Sequence, residues 1–196
     1  MDAFAKAWQY AGPAELVAEP GTFLASEAGH IPVVVTRARD GELRALLNVC
    51  RHRGHVVASG CGSRATLQCP YHAWTYELDG SLRRAPRSER EPGFDTTGLS
   101  LLPLAVATWG PFVFVNPDGG AAPFEPPGDL DIEGLRFASH ERREHAERWR
   151  SALERSGNRV LLPNTTIERS TEGLTIARWL PLAAGGSLEA RDSFVR

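Results

Sequence analysis

Short apolar runs separated by Gly, Pro and Asp turns dominate the first part of the chain, a pattern of antiparallel strands rather than of amphipathic helices. Residues 31–36 are largely β-branched, Asp40-Gly41 supplies a hairpin turn, and residues 43–49 form the return strand. Residues 66–68 and 73–78 flank a second tip, and Asp79-Gly80 turns the chain into Leu82. Residues 104–108 and 112–115 make a further hairpin around Trp109-Gly110-Pro111. Ahead of these, residues 3–19 carry Phe4, Trp8, Ala11 and Leu16 with Gly12-Pro13 interrupting, which predicts an approach segment whose Trp8 packs on the domain.

The pattern changes past Asn116. Residues 117–130 are rich in Pro and Gly and predict a linker, so the chain divides into a domain at 1–116 and a smaller one at 131–196. Between Ser139 and Ser156, the residues Ala146, Trp149, Ala152 and Leu153 recur at helical spacing, with Gly157 placed as a C-cap.

The predicted hairpin tips carry the chemistry. One reads Cys50-Arg51-His52-Arg53-Gly54 and the other Cys69-Pro70-Tyr71-His72-Ala73-Trp74, with sixteen residues between His52 and Cys69. Each offers one thiolate and one imidazole, so together Cys50, His52, Cys69 and His72 form a four-ligand metal site split over two loops. A [2Fe–2S] centre in which two histidines replace the cysteines on one iron needs this mixture, and the exchange raises its potential to roughly −150 to +300 mV. A structural Cys2His2 zinc site has the same ligand count. Zinc modules usually pair Cys with Cys and His with His, whereas here each loop contributes one of each.

These two stretches resemble the Rieske domain of the α subunits of ring-hydroxylating and related Rieske mononuclear-iron oxygenases, where Cys-x-His-Arg-Gly is followed by Cys-Pro-Tyr-His-Gly-Trp. Ala73 stands where the family has glycine. Rieske proteins of cytochrome bc complexes carry an extra cysteine in each loop, and this chain has none there. The resemblance implies a mainly β fold: a Rieske iron–sulfur domain of antiparallel sheets with two cluster-binding hairpin loops, plus a small α+β remnant of a helix-grip catalytic domain. It also implies a Rieske-type [2Fe–2S] cofactor, with Arg53, Gly54, Tyr71 and Trp74 contacting the cluster. Backbone N–H groups around Arg53-Gly54 and Ala73-Trp74, and the Tyr71 hydroxyl, are expected to bond to sulfur.

Composition narrows the partners. A net charge of −2 and a pI near 6.3 argue against a nucleic-acid binder, and the arginines are interleaved with acids. No run approaches the ~18 apolar residues of a membrane span, and residues 1–10 lack signal-peptide architecture, so the cytoplasm is the default expectation. Of the three cysteines, only Cys61 is left outside the metal site, where it reads as a small loop residue.

The C-terminal part departs from the family. The resemblance makes residues 136–146 a strand and starts the helix only at Trp149, and this shorter helix is the favoured reading. Trp149-Arg150-Ser151-Ala152-Leu153-Glu154 looks like the start of the helix that in complete α subunits leads to the mononuclear iron histidines. Here the chain turns instead into Ser156-Gly157-Asn158. His140 and His145 have the family's His-x4-His spacing but lie before Trp149, among charged neighbours that suit a solvated face. The resemblance therefore implies an oxygenase subunit, internally shortened, that passes electrons from its cluster to a mononuclear iron on a partner chain and receives them from a reductase or ferredoxin. A free-standing ferredoxin-like carrier and a non-catalytic structural subunit are the alternatives. The shortening is expected to leave Trp149, Leu153, Leu161, Leu162, Ile167 and Trp179 undercovered, an apolar face for a partner.

Overall fold

The computed structural model describes residues 4–126 and 130–196; residues 127–129 of the predicted linker lie outside them. In chain order the strands are β1 (Gln9–Pro13), β2 (Thr22–Ala28), β3 (Ile31–Arg37), β4 (Leu43–Leu47), β5 (Cys61–Ser63), β6 (Leu67–Gln68), β7 (Thr75–Tyr76) and β8 (Leu82–Arg84). They continue as β9 (Pro103–Trp109), β10 (Phe112–Asn116) and β11 (Arg136–His145), then after helix α1 (Trp149–Arg155) as β12 (Arg159–Leu162), β13 (Thr165–Arg169), β14 (Gly173–Pro181) and β15 (Ser187–Val195). The mainly β expectation holds, as does the shorter helix: residues 136–145 are extended and pair along their whole length with β15. The apolar repeat from Ala146 to Leu153 is helical only where Ala152 and Leu153 are buried.

The chain forms two compact units. One comprises residues 16–26 and 32–106. Its strands run in the order β9-β4-β3-β2-β5, with a separate three-stranded sheet β6-β7-β8. The β3–β4 hairpin is the one read at Asp40-Gly41, in register Val34 to Leu46 and Val35 to Ala45. Strand β2, unmarked in the sequence, pairs with β5. The core gathers Phe23, Val34, Leu46, Leu67, Trp74, Tyr76, Leu78 and Leu101 around Cys50 and Cys69. Gly80, at φ 91°, is required here, because a Cβ would approach Leu46 to 2.9 Å.

The second unit comprises the residues up to Glu15, residues 27–31 and residues 107–196. Here β1 pairs antiparallel with β10, so the predicted approach segment is in part a strand. Trp8 packs on Phe124 at 5.5 Å between ring centroids and donates its indole N–H to the Ala122 carbonyl at 3.0 Å. The five-stranded sheet runs β11-β15-β14-β13-β12, and one face buries Ile167, Leu174, Ile176 and Phe194 against Tyr10, Phe112 and Phe114. Each such side chain contributes about 1.5–3 kcal/mol by leaving water. By these contacts β1 and β10 pack with the C-terminal strands.

The expected bare apolar face is absent among the described residues, and the reason is local. Trp179 is 3 % exposed under Ala152, Leu153 and Trp149, and Ile167 lies in the other face's core. Phe4 covers Trp149, at 5.1 Å between ring centroids. The rest of the helix-side face is polar: Arg191 bridges Glu189 at 3.1 Å and Glu168 at 3.2 Å, and Arg143 pairs with Glu141 at 2.8 Å. A cleft of about 340 Å³ opens between α1 and these ion pairs. A helix of seven residues suffices because most of the sheet beneath it is charged rather than apolar.

Candidate metal centre

Both candidate ligand loops lie in the first unit and are built on one plan. In each, the cysteine N–H donates to the carbonyl five residues on, Cys50 to His55 and Cys69 to Trp74, both at 2.8 Å. In each, the cysteine carbonyl accepts from the N–H four residues on, Gly54 to Cys50 and Ala73 to Cys69, both at 3.0 Å. These closures leave the side chains between them pointing outward from a fixed base. Asn48 anchors the first loop: its Nδ2 donates to the Ala58 carbonyl, and its Oδ1 accepts from the N–H groups of Val57 and Ala58.

The four candidate ligands separate into two pairs. Cys50 and Cys69 are 3 % and 2 % exposed and are close enough for Cys50 to act on the Cys69 thiol. His52 and His72 sit nearer solvent, with ring centroids 4.7 Å apart. No group of three or more His, Cys, Asp or Glu side chains among the described residues converges to hold a single metal ion. A zinc ion needs all four donors around one point, whereas a dinuclear cluster needs two donors per iron. Paired thiols and paired imidazoles fit the second, in which Cys50 and Cys69 would hold one iron and His52 and His72 the other.

Protonation suits metal binding as well. Burial, then His72, then Arg53 lower the His52 pKa and favour the neutral ring that ligates. Burial raises the Cys69 thiol, opposed by the N–H groups of Tyr71 and His72, which bond to its sulfur. The Gly54 and Ala73 N–H groups go instead to the cysteine carbonyls of their own loops. Tyr71 is 57 % exposed, its ring 3.8 Å from that of His72 between centroids, whereas the fully buried Tyr76 brings its hydroxyl to 3.3 Å from Cys50 Sγ. That hydroxyl also accepts from Arg51 N–H at 3.0 Å, which leaves its own proton for the sulfur. Burial and then Cys50 push the Tyr76 pKa up, so it stays a donor.

Sequence reasoning passed over Tyr76 because it lies outside both motifs. The available signal was a tyrosine in a short apolar strand, whose hydroxyl must find a partner when buried. Of the other flanking candidates, Trp74 stacks on His52, while Arg53 and Gly54 lie exposed at the loop tip. His140 and His145 are not brought together. Five residues apart on β11 they face opposite sides of the sheet, and each meets a buried acid, Asp192 at 2.7 Å and Glu189 at 3.1 Å.

A sequence profile of the Rieske [2Fe-2S] domain matches residues 7–108, and the chain belongs to that family. It is homologous to the oxygenase subunits of Rieske oxygenases. Choline monooxygenase of Spinacia oleracea is 37% identical over 143 residues, 73% of this chain and 32% of that protein. The carnitine monooxygenase oxygenase subunit of Acinetobacter pittii (strain PHEA-2) is 40% identical over 119 residues, 60% of this chain and 32% of that protein. Among solved structures, the apo form of the quaternary ammonium Rieske monooxygenase CntA superposes with a TM-score of 0.81 at 26% identity, over 99% of this chain and 69% of that one. Naphthalene 1,2-dioxygenase shares the fold at 19% identity, TM-score 0.79, over 98% of this chain and 67% of that one. The chain spans about a third of the length of these curated relatives. No helix among the described residues is long and apolar enough to cross a membrane.

Proposed function

We propose that this chain is the electron-transferring component of a multi-component oxygenase, with Cys50, Cys69, His52 and His72 holding a Rieske cluster that serves a mononuclear iron on a partner chain. The observation that carries it is the sorting of donors, with paired thiols buried and paired imidazoles 4.7 Å apart at the tip. When bound, the cluster supplies a one-electron carrier of raised potential. The protein's part is to position it: Tyr76 and the N–H groups of Tyr71 and His72 donate toward the cysteine sulfurs, which favours the more negative, reduced state. The tip presents Val56, 42 % exposed, and Tyr71 beside Arg51 and Arg53, a mixture characteristic of interfaces.

The division into a cluster domain at 1–116, a linker at 117–130 and a catalytic-domain remnant at 131–196 belongs to this reading, as do a reductase or ferredoxin donor and a cytoplasmic location. Likeness to choline and carnitine monooxygenases makes a quaternary ammonium compound the proposed substrate of the assembled system. A free-standing carrier is the second reading, and the closed helix-side face favours it, since a self-covered sheet needs no partner strands.

Single-turnover oxidation of a quaternary ammonium substrate by the reduced chain, with and without an oxygenase subunit bearing mononuclear iron, tests the proposal. Product only in the mixture supports it. Product from the chain alone overturns it, and reduced chain that passes no electron to any oxygenase subunit leaves the carrier reading.

A further inference from the structure

The His52 ring lies almost parallel to the Trp74 indole, at 7° and 4.9 Å between centroids, while its edge meets His72 at 70°. Trp74 is 5 % exposed and belongs to the core that contains Cys50 and Cys69. On its edge stands Phe94, at 6.2 Å and 86°. Phe94 lies in an exposed stretch, residues 91–98, and is itself 41 % exposed, so its position over Trp74 is not explained by burial of its own ring. His72 has a different environment, for its aromatic neighbour Tyr71 is 57 % exposed. The two imidazoles are therefore unequally supported, one against a buried indole and one against a solvated phenol.

We infer that Trp74, braced by Phe94, is a positioning residue that fixes the plane of the His52 imidazole, keeps water off the one face of that otherwise exposed ring and holds the reduction potential below the value the loops alone would give. The inference rests on the reading of this site as a Rieske centre. Two effects set the sign, and they agree. Reduction adds a negative charge, which a water-excluding neighbour disfavours. A π face against the imidazole stabilises the electron-poor ring of the oxidised state more than the electron-rich ring of the reduced one. Loss of the indole should raise the potential, the opposite of the effect of losing the Tyr76 donor.

The test uses the cluster-loaded full chain in the variants Trp74→Leu, Trp74→Phe and Phe94→Ala. Iron and acid-labile sulfide content comes first, since loss of both from the unaltered protein would refute the Rieske reading itself rather than this inference. At equal cluster content, redox titration should show an upward shift in Trp74→Leu, a smaller upward shift in Phe94→Ala and near-retention in Trp74→Phe. The EPR spectrum of the reduced state should broaden in the same order as the ring loses its fixed plane. If Trp74→Leu fails to hold the cluster, Phe94→Ala, which removes an exposed side chain, decides alone. An unchanged or lowered potential with an unbroadened spectrum in the cluster-bearing variants overturns the inference.

Discussion

Gly54 and Ala73 occupy the same place in the two loops, each four residues after a cysteine whose carbonyl accepts its N–H at 3.0 Å, and each left-handed, at φ 72° and 58°. Glycine adopts that conformation freely, and alanine at about 1 kcal/mol or more of strain. Ala73→Gly should therefore stabilise the protein by about 1 kcal/mol in denaturant unfolding, and Gly54→Ala should destabilise it similarly. The space around Gly54 is open, so the second effect is conformational rather than steric. Stabilities that move in the reverse directions would show that the loops are not equivalent.

Tyr76→Phe should lower the reduction potential, because it removes a donor to Cys50 Sγ and leaves Arg51 N–H without its acceptor. Tyr71→Phe should leave it close to unchanged. A redox titration of both variants decides, and a larger shift for Tyr71→Phe would reassign the hydroxyl that matters.

The contrast between these two tyrosines shows what the sequence disclosed. A candidate ligand set could be named because two mixed Cys/His loops at that spacing constrain chemistry strongly, and the β3–β4 hairpin was legible because Asp40-Gly41 sits between apolar runs. Tyr76 was not, because its reach to Cys50 follows from strand register, Leu67 against Tyr76, which no local pattern encodes. Strands β1 and β2 were hidden for a like reason: Tyr10 and Phe23 are buried by distant partners rather than by alternation within their own segments. The helix-side face was misjudged because counting apolar residues ignores Arg191, Glu189 and Glu168, whose pairing appears only when β13 and β15 are placed in one sheet.

Asp192 is 2 % exposed and accepts from the Tyr10 hydroxyl at 2.8 Å while pairing with His140. Burial, followed by Asp192, holds the Tyr10 pKa far above its usual value, so the phenol remains a donor. Asp192→Ala would strand that buried hydroxyl and should cost about 3 kcal/mol in urea unfolding. A loss of about 0.5 kcal/mol or less would mean that water replaces the carboxylate.

Asp40 provides a pH test away from the metal. The Arg44 side chain, and then the Glu42 N–H, lower its carboxyl from 3.8 to about 2. A depressed folded pKa contributes stability above the unfolded value and loses it as pH falls through the folded one. Asp40→Asn should thus lower the melting temperature slightly at neutral pH, with the difference closing between 3.8 and about 2. A difference that persists below that window would assign the effect to the turn's geometry rather than to charge.

The most direct measurement is the iron and acid-labile sulfide content of the purified chain, with and without Cys50→Ser. The [2Fe-2S] assignment predicts two of each per chain, a Rieske-type EPR signal on reduction, and loss of iron, sulfide and signal together in the variant. Stoichiometric zinc in place of iron, or iron that survives Cys50→Ser, would contradict it.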